Sequence, residues 1–443
     1  DGEVHIDSSA SVYIRGKNGA YGEQTYGMNA ISKAPVSCVK NADGSYPEVA
    51  LITIANPQNE DVYFNGKLLP FKTHSDSDTN LYIYADRSAK HTVKVGGSEK
   101  TYEYVAAMRA FAAIGSDLVI AAADGSALTP GVDYDYYISS VTNPVTQASA
   151  DIGTLNVYTD NPVVIKNADG VSSTQDIIVI NASYADVTLA GVNISYPSMW
   201  TDSSALCIAN DNTASITLAD GTTNTLISDS SYGCGIAKDG TGTLTISCEK
   251  AKNSFSHKCD ESCGTLIAKA NMYGSAIGST SGQCNGKTAQ MITILGGNIT
   301  AASKHGAAIG GGIYTGAENI TVSGGNINAT SGGSSAAIGS GEKNSSSSEA
   351  VTAENIKILG GNINAVGGFG AAAISGGKES SASNITIANA NVKAVTDDYS
   401  AAIGGGQNAN GKNIRIENST LYAASQSGAA IIGGGVNGTG DKI

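Results

Sequence analysis

The chain reads as an all-β protein: a parallel β-helix, a solenoid of about 29 residues per rung, carrying a small β-sandwich near its N-terminus. Three recurring phrases predict this. The first is Ser275-Ala-Ile277-Gly, Ala307-Ala-Ile309-Gly-Gly-Gly, Ala336-Ala-Ile338-Gly, Ala372-Ala-Ile374-Ser-Gly-Gly, Ala401-Ala-Ile403-Gly-Gly-Gly and Ala430-Ile-Ile432-Gly-Gly-Gly, with isoleucines 32, 29, 36, 29 and 29 residues apart. The second is Ile292-Thr-Ile-Leu, Ile320-Thr-Val, Ile356-Lys-Ile-Leu, Ile385-Thr-Ile and Ile414-Arg-Ile, at intervals of 28, 36, 29 and 29. The third lies between them: Asn298-Ile-Thr, Asn326-Ile-Asn, Asn362-Ile-Asn, Asn391-Val-Lys and Thr420-Leu-Tyr. The second phrase alternates apolar and polar residues, the signature of a strand with one buried face. No segment has the three-and-four spacing of a helical repeat, and an ordinary sandwich would not keep three phases in register over six units.

Taken in order, residues 1–33 read as β-helix-like lead-in strands, Val4-His-Ile-Asp and Val12-Tyr-Ile-Arg. Residues 34–104 change pattern. Val49-Ala-Leu-Ile-Thr-Ile, Asp61-Val-Tyr-Phe, Leu81-Tyr-Ile-Tyr and His91-Thr-Val-Lys-Val are short strands separated by turn signals, which predicts an antiparallel sandwich. Residues 105–150 read as a connector with an Ala-rich start, and 151–443 as the solenoid. Its first rungs are Val164-Ile, Asp176-Ile-Ile-Val-Ile and Asp186-Val-Thr-Leu. Ile216 and Leu244 are 28 apart, as are Ile208 and Ile236, whereas Leu244 and Ile292 are 48 apart. That rung is swollen at 249–262 and 280–289, and insertions in a solenoid map to loops, where function tends to sit.

Only 15% of the residues are charged, which suits stacked strands, because like charges in adjacent rungs repel at strand spacing. With 26 basic against 39 acidic residues and no Lys/Arg cluster, nucleic acid and anionic membranes are not expected partners. No apolar run approaches ~20 residues, so no membrane insertion is expected. The chain starts at Asp1 and stops at Gly440-Asp-Lys-Ile443, where a further strand would begin, and both ends read as cut from a longer polypeptide. The tripeptides Asn298-Ile-Thr300, Asn319-Ile-Thr321 and Asn384-Ile-Thr386 match the N-glycosylation acceptor. Lying inside stacked strands, they read as a by-product of the repeat and point to a prokaryotic source.

The run Gly153-Thr-Leu-Asn-Val-Tyr-Thr, Pro162-Val-Val-Ile-Lys-Asn-Ala-Asp169-Gly and Val187-Thr-Leu-Ala-Gly-Val-Asn193-Ile, followed by the Ala-Ala-Ile-Gly-Gly-Gly units, resembles a known group. These are the Gly-rich β-helix modules of surface proteins of gut Firmicutes, of the carbohydrate-binding domain-containing type. The resemblance implies an extracellular, cell-surface module of a Gram-positive anaerobe. It carries over no catalytic motif and no set of binding residues. The 34–104 segment is similar to the immunoglobulin-like modules that such proteins carry.

Two constellations could carry chemistry. Asp211 and Asp239 each stand three residues after an isoleucine of adjacent rungs, and Asp202 and Asp229 are nearly aligned in the same way. One rung rises about 4.8 Å, so such pairs could approach the roughly 5–9.5 Å separation of glycosidase carboxylates. The competing reading is turn capping by Asp. The Asp397-Asp398 pair is five rungs further on, too far to join them. The second constellation is aromatic. Tyr232, Tyr273, His305 and Tyr399 stand four residues before repeat isoleucines, with Phe369 one step off and Tyr196 and Trp200 upstream. Aligned rungs would make them a flat strip on which sugar rings pack; the competing reading is shielding of a corner, and Ser334 and Gly428 interrupt the column.

Of seven cysteines, Cys248, Cys259, Cys263 and Cys284 lie in or beside the swollen rung, Cys207 and Cys234 occupy nearly equivalent places in adjacent rungs, and Cys38 stands apart. They read as buried small apolar groups, as a disulfide staple, or as a zinc site made of His257, Cys259, Cys263 and Cys284. No cofactor motif is present: there is no phosphate loop and no paired-His helix. The expectation is therefore a non-catalytic module for glycan recognition or adhesion, with carbohydrate or a surface glycoprotein as partner. A polysaccharide-active enzyme and a stalk or fibre built by end-to-end self-association are the alternatives.

Overall fold

The computed structural model describes residues 5–6, 37–38 and 49–443, except 57, 70–71, 74–79, 87–88, 97, 106–109, 115–116, 144, 148, 254–257, 344–349, 397–398 and 427. The lead-in strands expected in 1–33 lie outside the described residues apart from His5–Ile6, which pairs in parallel with Ser37–Cys38. His257, Asp397 and Asp398 also lie outside them. Two compact units result: Asp1–Gly115 with Tyr136–Ser139, and Ser116–Asp135 with Ser140–Ile443. Among the described residues no helix is long and apolar enough to cross a membrane.

In the first unit Val49–Ala55 and Asn80–Asp86 pair antiparallel. Lys67–Leu68, Val62–Phe64, His91–Val95, Ser98–Val105 and Ala110–Ile114 form a second antiparallel sheet. Alternate residues point inward, as the period of two requires. Ile52, Ile54, Leu81, Ile83, Val62 and Val93 make one buried cluster. The Ala-rich start of the expected connector is thus the last strand of this sheet. The rest of the connector supplies Leu118–Ala122, which runs antiparallel to Val163–Asn167, the first parallel strand of its sheet, and closes that sheet edge.

The second unit is the solenoid, about nine turns of a three-sided coil. Its sheets have 12, 11 and 8 strands, and within each the neighbours come from successive rungs. The first phrase forms the 11-stranded sheet, where Ile277, Ile309, Ile338, Ile374, Ile403 and Ile432 stack in direct register. The first five of these are fully buried, and burial of each isoleucine contributes roughly 1.5–3 kcal/mol. The second phrase forms the 12-stranded sheet and the third the 8-stranded sheet.

What lets the rungs close up is the residue after each isoleucine. Gly278, Gly310, Gly339, Gly404 and Gly433 have φ between 131° and 143°. A Cβ on Gly310 would come within 1.9 Å of the Gly339 carbonyl oxygen. The corner therefore excludes side chains on two counts, backbone conformation and space. Polar columns run beside the apolar ones. Asn298, Asn326, Asn362 and Asn391 form a ladder in which each amide donates to the carbonyl of the one before, at 2.8, 2.8 and 3.0 Å. A second column, Asn319, Asn355, Asn384 and Asn413, holds the left-handed conformation with φ of 53–57°, which asparagine tolerates best after glycine. The glycosylation-like tripeptides fall on these two columns.

Two positions break the pattern and carry predictions. Ser375 occupies the glycine column with φ of 110°, and its buried hydroxyl has no hydrogen-bond partner. Ser375→Gly raises stability by about 1–2 kcal/mol, measured as a higher denaturation midpoint. Met291 holds the left-handed position, φ 57°, where the following rungs use asparagine. Met291→Asn gains about 1 kcal/mol; an unchanged or lower midpoint would refute the reading of that column.

Candidate functional site

The aromatic residues are brought together by the strand register. Ile236 pairs with Ile277, and Ile277 with Ile309, so the residues four positions earlier stack as well. The rings of Tyr232 and Tyr273 are stacked with centroids 6.0 Å apart, and Tyr273 and His305 are 5.3 Å apart. Trp200 meets Tyr232 edge-on at 5.8 Å. The backbone fixes this corner: the Tyr232 N–H donates to Thr201 O at 3.0 Å, and the Tyr273 N–H to Ser231 O at 3.0 Å. Trp200 is 49% exposed, and the other three rings are partly exposed. Burial, aided by Lys304, lowers the pKa of His305. The shift, opposed by Glu342, favours the neutral imidazole.

Ser334 follows His305 in the column and ends the ladder. Further along, Phe369 and Tyr399 form a separate edge-on pair at 5.9 Å. Tyr399 sits in the left-handed region, φ 73°, where the equivalent residues of the neighbouring rungs are Gly370, φ 69°, and Gly428, φ 66°. Tyr196 does not belong to the strip. It is 1% exposed and packs with Ile152 and Met199, because it ends the strand Asn193–Tyr196 on an inward position.

The carboxylates are not aligned as the isoleucine count implied. Leu206 pairs with Ile236, and Ile208 with Lys238, a slip of two residues from the phrase alignment. By that register Asp211 stands opposite Thr241 and accepts its N–H at 2.7 Å, which lowers the pKa of this exposed carboxyl. Asp239 instead accepts the Thr280 N–H and hydroxyl, both at 3.0 Å, and the Lys287 N–H at 3.4 Å. Burial raises its pKa against these bonds. Asp229 accepts from the Asn271 amide, and its own N–H donates to Tyr196 O. Asp202 is exposed and lies beside Cys284, whose pKa is raised first by burial and then by that carboxylate. Thus Asp211, Asp229 and Asp239 are each hydrogen-bonded to a neighbouring turn, the register does not align Asp211 with Asp239, and Asp202 lies near enough to Asp239 to add to the rise in its pKa.

The same slip separates Cys207, opposite Ala237, from Cys234. Burial pushes the Cys207 thiol up to about 12 and raises Cys234 as well, so both behave as inert packing groups. Lys238, opposite Ile208, is fully buried and donates to Gly240 O. Burial lowers its pKa, while Asp211 and Asp239 draw it back up. A lysine in an otherwise apolar strand phrase, Ile236-Ala-Lys238, was the signal for this residue. Also missed was a shallow groove on the 8-stranded sheet, where Asn328, Asn364, Lys393 and Tyr422 align on its outer side. They are the third residues of the third phrase, whose outward face carried the information.

Comparison with family models, characterised proteins and solved structures gives no match. The site is therefore read from its own geometry.

A carboxyl whose folded-state pKa is raised contributes stability that is complete below its unfolded value, about 3.9, and lost as pH rises through the folded value. Asp239 is such a group. In Asp239→Asn this dependence is gone, so the melting temperature of the variant gains on that of the parent as pH rises from about 4 to about 7. Melting curves that keep a constant offset over this range would show that Asp239 is not perturbed.

Proposed function

We propose that this chain is a non-catalytic glycan-recognition module of an extracellular surface protein, with the corner built by Trp200, Tyr232, Tyr273 and His305 as its binding surface. The unbroken ladder of four rings, with centroids 5.8, 6.0 and 5.3 Å apart, carries the reading. An aromatic strip offers stacking area for the C–H faces of sugar rings. The Asp229–Asn271 pair and Lys304, in the same rungs as the rings, supply polar partners for hydroxyl groups. The likeness to Gly-rich surface modules agrees with this reading and with an immunoglobulin-like assignment for the N-terminal sandwich.

The test is a time-resolved array of mucin, milk and plant-wall glycans. Retained signal on one glycan class is expected, and Tyr232→Ala and Tyr273→Ala each weaken it about tenfold. Full affinity in the double variant would overturn the assignment, and spots that fade with time would mean turnover. Tyr399→Gly separates ring from backbone. It raises stability by about 1 kcal/mol and leaves binding at the four-ring ladder intact.

A further inference from the structure

The insertion after the strand Leu244–Cys248 begins with the short helix Glu249–Asn253 and returns to the coil at Thr265–Ala270. Among the described residues its apolar packing is small. Its buried cluster is Cys248, Ala251 and Cys263, with Cys259 packed against them. Such a cluster offers little hydrophobic stabilisation for a loop of this length. The surface ion pair Lys252–Asp186, at 2.7 Å, adds little more.

The three sulfurs converge. The Sγ atoms of Cys248, Cys259 and Cys263 all lie within 4.8 Å of one another, and Cys248 and Cys259 are 3.7 Å apart. Two thiolates bound at about 2.3 Å to one tetrahedral ion sit about 3.8 Å apart, whereas a disulfide needs about 2.05 Å. Gly297 donates its N–H to Cys259 Sγ at 3.0 Å, the kind of outer contact that orients a metal-bound thiolate. Gly296 closes the wall: a Cβ there would stand 3.0 Å from Cys259 Sγ and 3.7 Å from Cys248 Sγ. Asp260 brings a carboxylate oxygen, which also accepts from the Ser262 N–H and hydroxyl, to 3.9 Å from Cys263 Sγ.

We propose that Cys248, Cys259 and Cys263 bind one Zn2+ ion, with Asp260 or solvent at the fourth position, and that the ion fastens the insertion to the solenoid. The donor set differs from the one the sequence implied. Cys248 takes the place of Cys284, which lies beside Asp202. The choice of ion follows from the ligands: three converging sulfurs suit zinc, whereas all-oxygen sites suit calcium or magnesium. The ion would also hold the end of the asparagine ladder, because Asn298 donates to Asp260 O at 2.8 Å and Cys263 O at 3.1 Å, and Asn326 to Cys259 O at 3.2 Å.

The experiment uses the whole chain, reduced, treated with chelator and kept anaerobic. Zn2+ is titrated in competition with a chromophoric chelator, and Cd2+ is added separately to read thiolate-to-metal charge transfer. Expected are one Zn2+ per chain, a charge-transfer band and a higher melting temperature. Cys259→Ser should weaken binding at least a hundredfold, while Cys284→Ser binds as the parent does. Because Cys259 lies in the insertion and not in a rung, its variant keeps the solenoid, and the Cd2+ spectrum of the unaltered chain tests the site without any substitution. Absence of stoichiometric binding and of the band in the folded, reduced chain would overturn the proposal. So would loss of binding in Cys284→Ser, or a Cys248–Cys259 disulfide that leaves the chain unresponsive to zinc after reduction.

Discussion

Everything in the solenoid depends on how closely one rung can approach the next at the corner after the repeat isoleucine. The backbone there turns through a conformation that side chains resist, and the next rung's carbonyl occupies the space a Cβ would need. Glycine at that point allows the isoleucines to stack in register, and the stacked isoleucines fix the register of the other two sheets. The aromatic ladder follows from the same constraint. Residues four positions before each isoleucine have no freedom except to lie over one another, so placing a ring there in successive rungs is enough to build a strip.

The parts legible in the sequence are those where every rung has the same physical need. The glycine corner, the inward isoleucines and the asparagine columns repeat because each rung meets an identical neighbour. The ladder of Tyr232, Tyr273 and His305 could be read by counting back from those isoleucines. Counting failed where the phrase degenerates. At Leu206–Ile208 the partner of Ile236 is Leu206, two residues before the apparent match. That slip moved Asp211 and Asp239 out of alignment and put Lys238 into the interior. Tyr196 was misjudged because aromatic content marks a corner only when the residue lies outside a strand.

The cysteines show a different limit. Cys259 and Cys263 are close in sequence, and Cys248, at the end of the strand before the insertion, meets them because the insertion folds back over that point. Cys284, on the far side of the next strand, lies beside Asp202 instead. Spacing alone does not tell which third cysteine the fold of the insertion brings to the pair.

Register also governs how the chain finds its structure. Ile309 and Ile338 are partners 29 residues apart, and Ile236 and Ile277 are partners 41 apart. Each closure is a loop of about one period however many rungs precede it, so assembly can proceed rung by rung without the growing entropic cost that long-range sheets meet. Lengthening one loop from 29 to 41 residues adds only about 0.3 kcal/mol of closure entropy. Sequence can therefore be inserted at these corners with little effect on folding. A coil built on one rigid corner can vary its loops widely and still return, one turn later, to the same place.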